Sequence, residues 1–383
     1  QLGDVPAVDP KPGLIAEALI DGSFSLLVSL LVGVPESQQV RRGHQELLTM
    51  RDFIDRNGWF ADPSGYHQTP PPLRAPQLTS RRVTGLGGAL DYQEMTFESE
   101  YEPLPGEPGR ERWLSHADNG TAVAYLLQHE GGDRPWLVCT HGFGMGQPRT
   151  NMQGLSAQWL HEELGLNVMM PVLPLHGPRS STTFSGGGIL EPEYANVLHL
   201  FAQAVFDTRR MVGWLRTRTD APIGLYGISL GGYTTALASG FIDDLACVVA
   251  GIPAVDFTSL ARDNEPWAYQ AYGGDLKTDW GLVHEVVHPV SPLTFRPRLE
   301  RGRRYIYAGV GDRIVRPDQA RALWRHWERP EIEWLPCGHV LASMKKDLRP
   351  FLRKVVARHL FEGGTAPFGH DEEEPVTQRQ AQA

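Results

Sequence analysis

From residue 91 to residue 361, short apolar runs alternate with longer segments of helical periodicity, and this alternation constrains the fold more than any other feature of the chain. The runs 91–101, 121–129, 135–140, 167–173, 222–228, 245–251, 303–310 and 331–335 read as strands, and helical patterns fill 151–164, 191–218, 230–240, 317–328 and 343–360. A parallel crossover needs a helix to carry the chain back. The pattern therefore predicts an α/β protein, a mostly parallel central sheet flanked by helices. The two earliest strands have no helical pattern between them and are expected to pair antiparallel at one edge. No repeat of fixed period is visible.

Residues 1–80 read as a helical N-terminal extension with a Pro-rich linker. Apolar positions such as Leu47, Leu48, Phe53 and Ile54 predict two or three helices over 13–57, and the run Thr69-Pro70-Pro71-Pro72 stops any helix. The core is expected over 81–361, with a small cap insertion at about 256–296. The tail 362–383, with Asp371-Glu372-Glu373-Glu374, loses apolar periodicity and is expected to be disordered. The most apolar stretch, Gly13 to Val34, carries Glu17 and Asp21. That leaves about a dozen uninterrupted residues where a span needs roughly 20, so no transmembrane helix is read. No basic segment precedes it, so it does not read as a secretory signal, and a cytoplasmic protein is expected. The extension's apolar faces need burial, against the chain's own core or against the same extension in a homodimer. Residues 13–35 contain no Arg or Lys, which argues against an interfacial membrane helix.

With 36 Lys+Arg against 45 Asp+Glu, the net charge of −9 argues against a nucleic-acid partner, which would require a basic face. Hydrophobic residues at 41% exclude global disorder. Cys139, Cys247 and Cys337 form no C-x-x-C pair and lie in or beside strand-like runs, so they read as buried free thiols.

The chemistry concentrates in Pro222-Ile223-Gly224-Leu225-Tyr226-Gly227-Ile228-Ser229-Leu230-Gly231-Gly232, an apolar strand, then G-x-S-x-G, then a helix of small residues. A serine on a sharp strand-to-helix turn is pushed out above the sheet, and the tight turn tolerates no bulky flank. Here the chain resembles the α/β-hydrolase superfamily, over roughly residues 90–361. The resemblance implies a serine hydrolase of esterase or lipase type, with Ser229 as nucleophile followed by an acid and then a histidine base. Of His284, His288, His326, His339, His359 and His370, only His339 follows a strand-like run, Glu331 to Leu335, through the turn Pro336-Cys337-Gly338. For the acid, Asp312 ends the strand-like run Arg304 to Val310, and its sequel Ile314-Val315-Arg316-Pro317 is similar to the family's Asp-x-x-V-x-P pattern. Asp256, one strand earlier, is the alternative acid, and a helix-capping Asp312 with Asp318 in competition is the structural one. The run Pro135 to Gly144 resembles the family's strand followed by His-Gly-x. It implies an oxyanion hole from the backbone amides of Phe143 and Leu230. His141 and His176 read as loop-shaping residues.

Two other signals compete. His284-Glu285-Val286-Val287-His288 matches H-E-x-x-H, the pattern of a zinc metalloprotease, but Pro289 follows at once and no third ligand is evident beyond Glu300. In the cap region, Phe257, Trp267, Tyr269, Tyr272 and Trp280 read equally as an apolar acyl pocket or as packing, and Ser180 to Gly188 as a further wall. No phosphate or dinucleotide signature occurs, and no cofactor or metal is expected. The expected reaction is hydrolysis of a small-molecule carboxylic ester with an apolar acyl or aryl group. Peptidase, thioesterase and acyltransferase use the same parts, and a non-catalytic binding protein of this fold is the remaining alternative.

Overall fold

The computed structural model describes residues 5–6, 12–32, 37–85, 88–131, 133–189, 193–263 and 278–361. The expected tail 362–383 and the cap residues Trp267, Tyr269 and Tyr272 lie outside them. Two helices open the chain, α1 (Pro12–Val32) and α2 (Ser37–Arg56). Next come strands β1 (Gln77–Gly85) and β2 (Gly88–Glu98), the short helix α3 (Arg110–Ser115) and strand β3 (Thr121–Leu127). The alternating part runs β4 (Trp136–Thr140), α4 (Pro148–Gly154), α5 (Ala157–Glu162), β5 (Asn167–Pro171), α6 (Ala195–Arg216), β6 (Ile223–Ile228), α7 (Leu230–Ala238) and β7 (Cys247–Gly251). After α8 (Phe257–Asp263) and α9 (Trp280–Val286), the chain closes with β8 (Arg304–Gly309), α10 (Pro317–His326), β9 (Glu331–Leu335) and α11 (Arg349–His359).

Among the described residues the sheet has nine strands in the order β1-β2-β3-β5-β4-β6-β7-β8-β9. The strands β5-β4-β6-β7-β8-β9 are parallel to their neighbours, whereas β1, β2, β3 and β5 pair antiparallel. The α/β class and the antiparallel edge thus match expectation. Strand β1 corrects the boundary at residue 80, because Gln77 to Gly85 pairs residue for residue with β2. Its sequence hides it: the consecutive Arg81 and Arg82 point to opposite faces and are both exposed, and an edge strand solvated on both faces has no apolar alternation to read.

From β3 to β8 the sheet is buried on both faces. Along β3, Ala122, Ala124 and Leu126 pack into one core while Val123, Tyr125 and Leu127 pack into the other, as the two-residue strand period requires. The first core takes apolar residues from α2, α6, α7 and α10, and the second from α4, α5 and α11. In α2, the positions Leu47, Met50 and Ile54 form one buried face. Helix α1 inverts the usual pattern, with Ile15, Leu19 and Leu26 exposed while Glu17 and Asp21 are buried. Chain order reverses around β4, since β5 lies on one side of it and β6 on the other. Crevices form at the carboxyl ends of strands at such a switch point, which is where β6 delivers Ser229.

Candidate active site

Strand β6 ends at Ile228 and α7 begins at Leu230, so Ser229 alone makes the turn, with φ 56° and ψ −116°. The glycines two residues to either side of it have no room for side chains. A Cβ on Gly227 would lie 2.1 Å from the carbonyl oxygen of Gly231, and one on Gly231 would lie 2.1 Å from that of Thr140. The turn is fixed further by the Ser229 amide, which donates to the Gly251 carbonyl at 2.9 Å.

The structure brings Ser229, His339 and Asp312 into one hydrogen-bonded line. Ser229 Oγ stands 2.9 Å from His339 Nε2, and His339 Nδ1 stands 2.6 Å from Asp312 Oδ2. A carboxylate only accepts, so Nδ1 carries the proton that donates to Asp312, and the neutral ring accepts from the serine hydroxyl at Nε2. Asp312 is held by its other oxygen, which accepts from the amides of Ile314 at 3.0 Å and Val315 at 2.7 Å. Both Asp312 and His339 are buried. Burial alone would lower the His339 pKa, but the charge and hydrogen bond of Asp312, with the charge of Asp21, outweigh it and hold the imidazole above its ordinary value.

Leu230 follows the serine directly, and Phe143 follows Gly142 in the loop after β4. Leu230 is the first residue of α7, so its amide has no carbonyl one turn back within the helix. The loop after β4 runs alongside, since a Cβ on Gly142 would meet Ser229 Cβ at 3.5 Å. His141 shapes this loop: its Nε2 accepts from the Leu173 amide at 3.1 Å, leaving Nδ1 to donate to the Gly142 carbonyl at 2.8 Å. Burial pushes its pKa down to about 3. His176 Nδ1 donates to the Pro174 carbonyl at 2.9 Å, and its ring meets Phe143 edge-on. The Ser180 to Gly188 segment also packs here, where Phe184 lies 6.4 Å from Phe143 between ring centres.

Other sequence candidates lie elsewhere. Asp256 Oδ1 accepts from the Ser259 amide at 3.1 Å and so caps α8. His326 and His359 belong to α10 and α11, and His370 lies outside the described residues. The H-E-x-x-H segment is not one helix, because α9 ends at Val286 and His288 starts a 3₁₀ turn. Glu285 pairs with Arg51 at 2.7 Å, and His288 Nδ1 contacts Thr294 Oγ1 at 3.2 Å. Among the described residues, no group of three or more His, Cys, Asp and Glu side chains is arranged to hold a metal ion. In the cap region, Trp280 packs edge-on against Tyr194 at 6.1 Å between ring centres.

The sequence reading missed Glu17 and Asp21. Glu17 Oε2 accepts from the Gly338 amide at 3.0 Å, and Asp21 Oδ2 accepts from the His339 amide at 2.8 Å. Two acids one helical turn apart in an otherwise apolar stretch were the available signal.

No family model matches the chain. It is 35% identical over 357 residues to uncharacterized protein MT2702 of Mycobacterium tuberculosis strain CDC 1551, covering 91% of this chain and 83% of that protein. It is 34% identical over 357 residues to uncharacterized protein Rv2627c of M. tuberculosis strain H37Rv, with the same coverage of 91% and 83%. Among solved structures it is similar to acetyl xylan esterase 1 from Thermoanaerobacterium sp. JW/SL YS485. That match has a TM-score of 0.50 at 12% identity, covering 77% of this chain and 98% of that one. The likeness concerns the fold. Among the described residues no helix is long and apolar enough to cross a membrane. The chain has the α/β-hydrolase fold and belongs to one family with the two mycobacterial proteins.

Proposed function

We propose that the chain is a serine hydrolase that cleaves carboxylic esters through Ser229, His339 and Asp312. The observation that carries this reading is the line of two hydrogen bonds, 2.9 Å from Ser229 Oγ to His339 Nε2 and 2.6 Å from His339 Nδ1 to Asp312 Oδ2. His339 takes the hydroxyl proton as Oγ attacks the substrate carbonyl, and Asp312 stabilises the resulting imidazolium and holds the ring in the useful tautomer. The amides of Phe143 and Leu230 donate to the oxyanion of the tetrahedral intermediate. The imidazolium then gives its proton to the leaving alkoxide. Water, activated by the same histidine, releases the acyl group. The positive end of α7 faces the same developing negative charge.

The ester class is favoured over amide or thioester by the name of the esterase whose fold is shared, which is acetyl xylan esterase 1. Peptidase, thioesterase and acyltransferase activities would use the same residues. A fluorophosphonate probe should label Ser229, and Ser229→Ala should abolish both labelling and turnover of p-nitrophenyl esters of graded chain length. Amide and thioester panels run beside them decide the class. Turnover that survives in Ser229→Ala would overturn the mechanism.

A further inference from the structure

The turn that carries His339 is held by a helix more than three hundred residues upstream in the chain. Glu17 and Asp21 lie one turn apart on one face of α1. Glu17 Oε2 accepts from the Gly338 amide at 3.0 Å, Asp21 Oδ2 from the His339 amide at 2.8 Å, and Asp21 Oδ1 from the Val340 amide at 3.1 Å. Three successive amides thus converge on two carboxylates, as in a backbone anion nest. Asp21 Oδ2 also accepts from the amide of Arg313 at 3.3 Å, the residue after Asp312. Glu17 pairs through its other oxygen with Lys345, just beyond the turn.

Asp21 is 1% exposed. A carboxylate withdrawn from water persists only where hydrogen bonds replace its hydration, and the bonds it makes here all come from the two loops that present His339 and Asp312. A capping role within α1 would have used amides of α1 itself. Contact is close enough to exclude a side chain at the turn, because a Cβ on Gly338 would lie 2.8 Å from Asp21 Oδ2.

We propose that Asp21 is a positioning residue for His339: it clasps the turn that bears the imidazole and keeps the ring in line between Asp312 and Ser229, while Glu17 fixes the residue before it. The inference rests on the serine-hydrolase reading above and extends its machinery to the N-terminal extension. The titratable and charged groups around this turn are Glu17 and Asp21 from α1, Asp312 and Arg313 from the loop after β8, Ser229 from the β6 turn, and Cys337 and Lys345 on the segment itself. Asp21 adds its charge in the same sense as Asp312, favouring the imidazolium that forms during attack.

The test uses the full chain and Asp21→Asn, which keeps the shape but removes the charge and one acceptor oxygen. Two quantities are read: the His339 imidazole titration by NMR, and the rate at which a fluorophosphonate labels Ser229, with kcat and KM on an ester. The expected result is a lower titration midpoint, and labelling and kcat reduced about ten- to hundredfold with KM nearly unchanged. Gly338→Ala, which pushes the carboxylate away without deleting it, should slow labelling with a smaller change in midpoint. Should Asp21→Asn not fold, Gly338→Ala and Glu17→Gln carry the same comparison. Folded variants with the wild-type midpoint and labelling rate would overturn the clasp. Failure of the hydrolase reading is separate, appearing as an unlabelled Ser229 in the wild type. In that case the NMR midpoint of Asp21→Asn still decides whether Asp21 acts on His339.

Discussion

The hydroxyls of Tyr226 and Tyr307 stand 2.8 Å apart, a buried bridge between β6, which leads to Ser229, and β8, which leads to Asp312. Strand β7 runs between them, and its last residue, Gly251, pairs with Tyr307 and leaves room for the phenol to pass. A Cβ at position 251 would lie 2.4 Å from the Tyr307 hydroxyl. The separation of Ser229 and Asp312 is thus tied beneath the candidate site. Gly251→Ala should lower stability by about 1–3 kcal/mol through overpacking, and Tyr307→Phe by about 1 kcal/mol through the lost hydrogen bond. Urea unfolding measures both, and a Gly251→Ala variant as stable as the wild type would show that the bridge yields freely.

On the proposed mechanism, the raised pKa of His339 sets the acid side of the rate profile. The base must be neutral to accept the serine proton, so kcat/KM should fall as the pH drops through a midpoint above the ordinary imidazole value of about 6.5. A profile measured from pH 5 to 9 with a midpoint below that value would contradict the assigned environment.

Which acid serves His339 is decided by exchange of carboxylate for amide. Asp312→Asn removes the charge beside Nδ1 and should lower kcat by about four orders of magnitude. Asp256→Asn, whose side chain caps α8, should cost far less. The reverse ranking would move the acid to the loop after β7.

Four histidines make the fold sensitive to acid. Burial pushes His67 and His176 down to about 4 and His141 and His199 down to about 3. In the unfolded chain each titrates near 6.5, so below that pH the unfolded state binds the extra protons and stability falls as pH falls. His339 works in the opposite sense: its contribution is present below the unfolded value and lost as pH rises through its folded one. Thermal melting should therefore weaken steeply between about pH 6 and pH 4. His199→Gln should flatten the slope, and a melting temperature constant over that window would refute the account.

Much of the candidate site was legible because the proposed chemistry dictates local sequence. The turn at Ser229 demands glycines at 227 and 231, and Asp312 follows an apolar strand and is itself followed by the buried Val315, which gives the Asp-x-x-V spacing. The buried strands β4 to β8 declare themselves as apolar runs. Strand β1 did not, because an exposed edge with Arg81 paired to Glu94 and Arg82 to Asp91 has no apolar period to read. The contact of Asp21 with the His339 turn was also invisible, since it joins positions 318 residues apart and uses backbone amides, which any residue but proline supplies.

The backbone at Ser229, with φ 56° and ψ −116°, is the conformation that a II′ turn reserves for glycine at its first central position. A side chain held there costs about 1–3 kcal/mol. With Ser229 as the proposed nucleophile, selection for robustness and selection for turnover pull position 229 in opposite directions. A library of this chain sorted on heat resistance alone, with no demand for chemistry, should enrich glycine at that position and return proteins that are sturdier and inert.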